Sequence, residues 1–231
     1  MKHLIILMLL AAPLTAFAQN WETLETAKPK TEQKDSKKAK KDDKKKDDAS
    51  QQQASKTKEV KMKIDKKYAT GAVPLVDGKV EWTTTISVPG VPANVLFDKM
   101  ITFLTNMTKE PQQTELSRIS AVNRQENMIA AHFEENLTFK SSALAVDETL
   151  FKYNLIVTCK NGELIVTMKN LSYAYDLQRD GGRYTAEEWI TDEAALNKKG
   201  TNVYRLNGKF RIKTIDRKDV IFSNIEYDMK R

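Results

Sequence analysis

Hydrophobic positions change rhythm along this chain, and each rhythm marks a different kind of segment. In residues 80–88, Val80, Trp82, Thr84, Ile86 and Val88 alternate with Glu81, Thr83, Thr85 and Ser87. A period of two sends successive side chains to opposite faces, so the run predicts a strand with one buried and one wet face, ended by Pro89-Gly90. The rhythm then lengthens. Ala93, Leu96, Phe97, Met100, Leu104 and Met107 recur at helical spacing behind Pro92, which suits the first helical position. Four more strand-like runs follow, at about 115–122, 128–139, 150–159 and 163–175. Between the last two sits Asn161-Gly162, the strongest short-range hairpin signal, so those strands are expected to pair antiparallel.

The C-terminal part reads differently. Asp180-Gly181-Gly182 is a loop, and Thr185-Ala-Glu-Glu188 has capping-box spacing ahead of a short helix reaching about residue 197. Ile215, Ile221, Phe222, Ile225 and Met229 fall within an arc of about 120° at 3.6 residues per turn, which predicts a closing amphipathic helix. The order β-α-β-β-β-β followed by helices implies an α+β fold, an antiparallel sheet with helices on one face. The domain is read as residues 68–231, with a core at about 78–176 and a helical extension at 185–231.

The first 67 residues belong to neither pattern. A basic start, an apolar run from Leu4 to Leu14 and the Ala16-Phe17-Ala18 site read as a secretory signal peptide over 1–18, cleaved between Ala18 and Gln19. The run is shorter than the roughly 18 apolar residues that cross a bilayer, so no transmembrane anchor is expected in the mature chain. The sole cysteine, Cys159, is far from the cleavage point, which argues against a lipoprotein. The expected destination is periplasmic or secreted. Residues 19–67 are read as a disordered, low-complexity linker: from residue 22 onward they hold 16 Lys and 10 acids and no aromatic residue, too little apolar surface to offset the entropy of ordering. The alternation of Val60, Met62 and Ile64 leaves a short strand open there.

Charge then has to be placed. The formal net charge is +7, yet residues 68–231 carry 21 basic and 21 acidic residues. The excess lies in the linker, and the contact it implies is a weak one of segment 28–67 with an anionic surface. The folded part offers little to phosphates, and nucleic-acid recognition is not expected.

Chemistry is sparse. His132 is the only histidine after the signal peptide and reads as a lone surface imidazole. No metal-ligand, nucleophile or phosphate-loop motif is present, so no catalytic residue, metal or cofactor is expected. Glu134 and Glu135 are adjacent in a strand and should point to opposite faces, so they cannot converge across a bond. Glu187-Glu188 fits the first turn of a helix, where acids meet the macrodipole. Cys159 shares a strand face with Phe151, Tyr153, Leu155 and Val157 and reads as a buried thiol. Arg205, Lys209, Arg211 and Lys213 are spaced by even steps and are expected to share one face, where with Trp189 they would bind an anion or a partner.

Three stretches resemble a known family. Tyr68-Ala-Thr-Gly-Ala-Val-Pro74 leading to Val76-Asp-Gly-Lys-Val-Glu-Trp82, then Ala186-Glu-Glu-Trp-Ile-Thr-Asp192, then Gly208-Lys-Phe-Arg-Ile-Lys-Thr-Ile-Asp216, resemble an uncharacterised family of secreted Gram-negative proteins. Its domain of unknown function is described as having a TATA-binding-protein-like (TBP-like) fold. The resemblance implies that architecture and an envelope location, with no reaction or cofactor. The expected function is a non-catalytic binding module of the bacterial cell envelope, its partner an unknown envelope protein. The alternative is a carrier or sensor holding an amphiphile between sheet and helices, which would need a large apolar cavity there.

Overall fold

The computed structural model describes residues 64–141, 146–178 and 181–231. The signal peptide, the Ala18–Gln19 cleavage site and nearly all of the linker lie outside the described residues.

A seven-stranded antiparallel sheet is built from β1 (Leu75–Val76), β2 (Lys79–Ser87), β3 (Arg118–Asn123), β4 (Met128–Ser141), β5 (Val146–Lys160), β6 (Glu163–Tyr175) and β7 (Gly182–Thr185). The order across it is β1-β2-β6-β5-β4-β3, with β7 continuing beside β6 beyond the end of β2. The Asn161-Gly162 turn joins the central strands β5 and β6, as its sequence predicts, and Gly162 takes a φ of 80° that favours glycine. The turn does a second job. Helix α1 (Ala93–Met107) has Pro92 at its N-cap, which offers no capping side chain, and Asn161 Oδ1 instead accepts the Ala93 N–H at 2.9 Å.

Both long helices cover the same sheet face. From α1 come Leu96, Phe97, Met100 and Leu104; from the sheet come Ile129, Phe133, Phe151, Tyr153, Leu155, Val157, Val166 and Met168; all are fully buried. Each such side chain stabilises by about 1.5–3 kcal/mol through removal from water. A bulge keeps the pattern in phase along β6. There the register shifts opposite Lys152 and Asn154, Asn170 adopts a φ of 57°, and Met168 and Leu171 both stay on the buried side.

The C-terminal region departs from expectation in detail. Two short helices, α2 (Ala186–Trp189) and α3 (Asp192–Ala195), replace the single one expected, because Thr185 and Thr191 each cap a separate turn. The closing helix α4 runs from Arg205 to Lys230, ten residues earlier than the Ile215 start of the hydrophobic arc. Gly208 lies inside it because a Cβ there would stand 2.4 Å from Val203 Cβ. The linker boundary also moves. Asp65 caps a 3₁₀ turn (Lys66–Tyr68), so order begins before residue 67, and Ile64 lies outside any strand while its N–H reaches Thr201 O at 3.4 Å.

Candidate functional site

The expected basic cluster does not form. On α4 the side chains at 205, 209 and 213 are four apart and share a flank, whereas 211 turns the opposite way, since even spacing aligns residues on a strand and disperses them on a helix. Arg211 is fully buried. Its Nε donates to Tyr68 O at 2.8 Å, Nη1 to Ile190 O at 2.8 Å, and Nη2 to Ala69 O at 2.6 Å and Asp192 Oδ1 at 2.7 Å. Burial pushes its pKa down, and the Asp192 carboxylate opposes that shift. Asp192 Oδ2 meanwhile accepts the Gly71 N–H at 2.7 Å.

Three distant stretches therefore meet at one guanidinium. Around it, Glu187 Oε1 accepts the Val80 N–H at 2.7 Å, Trp82 Nε1 donates to Ala72 O at 3.0 Å, and Tyr68 Oη donates to Asp216 Oδ1 at 2.7 Å. The motifs at 68–82, 186–192 and 208–216 thus form a joint that fastens the N-terminal loop and the short helices to α4.

The other members of the expected cluster are dispersed. Lys209 Nζ contacts both Asp147 carboxylate oxygens at 3.0 and 2.8 Å, donates to Tyr175 Oη at 2.9 Å, and lies 4.5 Å from the Phe139 ring centroid and 4.4 Å from that of Tyr175. Trp189 stacks on Tyr184 at 3.8 Å and meets Phe210 edge-on at 5.8 Å, which makes it part of the packing under α4. Arg205 and Lys213 are the two whose charges no ion pair among the described residues neutralises.

The carboxylates and the cysteine singled out in the sequence take structural places, while the buried Tyr153 Oη and Trp189 Nε1 have no hydrogen-bond partner among the described residues. Glu134 and Glu135 do point to opposite faces. Glu134 pairs with Lys152 at 2.8 Å, and Glu135, 1% exposed, is held by Arg217. Glu188 completes a capping box with Thr185, whose hydrogen bonds hold its carboxyl below the usual range. Burial pushes the Cys159 thiol up to about 12. Among the described residues no three His, Cys, Asp or Glu side chains are grouped to hold a metal ion, and no helix is long and apolar enough to cross a membrane.

What the motifs do not use is the other face of the sheet. Register places its side chains in rows: Met128, Thr158, Ile165 and Thr85; then Ala130, Ile156, Thr167 and Thr83; then Arg118, His132, Asn154, Lys169 and Glu81. With strands about 4.8 Å apart, each row crosses the sheet as a continuous line. The third row is polar, with His132 Nδ1 2.9 Å from Asn154 Oδ1. The first two consist of threonines with Met128, Ala130, Ile156 and Ile165. Ile156 and Ile165 alternate with the buried Leu155, Val157, Leu164 and Val166, which puts them on the open face by the period of two.

An antiparallel sheet with both long helices on one face and a broad open face on the other defines a TBP-like α+β domain. The profile of a domain of unknown function with TBP-like fold, DUF4468, matches residues 82–174. A crystal structure of a DUF4468 family protein from Bacteroides ovatus ATCC 8483 is 37% identical and superimposes with a TM-score of 0.68, over 74% of this chain and 97% of its own. The chain belongs to the DUF4468 family. A TBP-like protein from Parabacteroides distasonis ATCC 8503, 17% identical, shares the fold with a TM-score of 0.57 over 69% of this chain and 97% of its own. No curated protein matches the chain.

Proposed function

We propose that this protein is a non-catalytic binding module, exported to the cell envelope by residues 1–18, and that it binds a partner on the open face of its sheet. The observation that supports this reading is the row of Met128, Thr158, Ile165 and Thr85 beside that of Ala130, Ile156, Thr167 and Thr83: a broad, largely uncharged platform bordered by the polar row through His132. Such a surface suits a partner that buries apolar area at the centre and meets polar groups at the rim. The carrier alternative draws no support, because Leu96, Phe97, Met100, Phe133, Phe151 and Phe210 fill the space between sheet and helices.

Native mass spectrometry of the protein isolated from cells that export it tests the reading. The expected result is a bound species that Ile156→Lys releases without lowering the unfolding temperature. A bound amphiphile retained by Ile156→Lys would instead support the carrier and overturn the open-face reading.

A further inference from the structure

The outer side of α4 carries a feature that neither the fold nor the open face uses. Leu206, Lys213, Val220 and Tyr227 are spaced by seven and so lie almost on one line, drifting about 20° per step. They form a ridge roughly 32 Å long at 1.5 Å per residue. The three apolar members are 41%, 48% and 70% exposed. A concentration of cations lies toward the N-terminal end of the same helix. Arg205 and Lys213 are on α4 itself, Lys198 and Lys199 sit in the turn between α3 and α4, and Lys66 lies in the 3₁₀ turn; Ile64, two residues before that turn, hydrogen-bonds to Thr201 in the α3–α4 loop. None of the five is neutralised by an ion pair among the described residues. The nearby acids are largely taken: Asp216 and Asp219 by Lys67, Glu226 by Lys230. Asp65, Glu193 and Asp228 are the opposing charges that remain.

We propose that this ridge, together with the cations toward the N-terminal end of α4, rests on an anionic lipid surface. Charge complementarity selects an anionic partner, and the lysine-rich sequence that joins the domain at Ile64 adds to the same sign. The apolar ridge selects lipid over a soluble polyanion, because Leu, Val and Tyr gain by entering the boundary between headgroups and acyl chains. A second copy of the chain fits less well. One apolar residue per seven is too thin a seam for helix pairing, which needs two. The consequence goes beyond the binding-module reading: with the helix layer against lipid, the open sheet face is turned outward.

The test is co-sedimentation of the chain from Gln19 with vesicles of phosphatidylcholine and phosphatidylglycerol in equal parts, against phosphatidylcholine alone. The wild type is expected to bind the anionic vesicles. Lys198→Glu with Lys199→Glu should weaken that binding by about fivefold or more per lysine. Leu206→Ser with Tyr227→Ser should weaken it while leaving retention on heparin unchanged. Both pairs are exposed, so the unfolding temperature should hold. Wild type that ignores the vesicles, or that is retained on heparin alone, would overturn the proposal, as would both pairs binding like wild type, which would assign the attraction to the lysine-rich segment. Ile156→Lys should leave vesicle binding intact, which separates failure here from failure of the open-face reading.

Discussion

Arg217 grips both carboxylate oxygens of Glu135, Nε to Oε1 and Nη2 to Oε2 at 2.8 Å each, in the space between α4 and the sheet. Gln113 adds a third bond to the same carboxylate at 2.5 Å, and Arg217 Nη2 also reaches Glu110 at 3.0 Å. A bidentate pair with further hydrogen bonds satisfies the groups that burial would otherwise penalise.

Glu135→Gln should therefore cost about 3 kcal/mol in urea unfolding, since it removes the buried charge that the guanidinium grips and leaves Glu110 as its one anionic partner. Glu134→Gln should cost clearly less, because its partner Lys152 keeps 28% of its side chain in water. Replacing the pair together, Glu135→Leu with Arg217→Met, should recover part of the loss. Equal costs for the two glutamates would show that the buried pair is not the stronger pin.

Cys159 gives a prediction in alkali. Its thiol is raised by burial to about 12 in the folded chain, against about 8.5 for an exposed cysteine. The folded state then holds a proton that the unfolded state has released, so stability should fall as pH rises between those two values. The buried Tyr153 and Tyr173 hydroxyls, both raised chiefly by desolvation, extend the same trend. Cys159→Ala should flatten the lower part of that decline. A thiol reagent should label Cys159 at the rate of global unfolding; rapid labelling of the folded protein would contradict its burial.

Asn161 serves the hairpin turn and caps α1, and the two roles separate by substitution. Asn161→Gly retains a residue suited to the turn but removes the acceptor for the Ala93 N–H. The expected cost is about 1 kcal/mol, read from the thermal midpoint, with the strand content seen by circular dichroism unchanged. An unchanged midpoint would mean the cap contributes nothing.

Local patterns carried most of the sheet. The alternation of β2, the Asn161-Gly162 turn and the divergence of Glu134 and Glu135 depend on neighbours in sequence, and the limits of β6, residues 163–175, are those the alternation predicts. The first ten residues of α4 carry no apolar arc of the kind that begins at Ile215, and Gly208 among them is a poor helix former whose place is set by Val203 packing against it. Arg211 resembled a surface cation. Three of its four acceptors are backbone carbonyls, from Tyr68, Ala69 and Ile190, and carbonyls leave no trace in side-chain pattern. The open face was half legible: its threonines stood out, and its isoleucines did not.

The claim that the family-like motifs serve the fold, leaving binding to other surfaces, rests on Arg211. Its most direct test is the urea midpoint of Arg211→Ala beside those of Arg205→Ala and Lys213→Ala. Removing Arg211 leaves three carbonyls and Asp192 Oδ1 without the guanidinium that donates to them, and the predicted loss is about 3–5 kcal/mol, against about 0.5 kcal/mol or less for Arg205 and Lys213. An Arg211→Ala protein that unfolds at the wild-type midpoint would contradict the account.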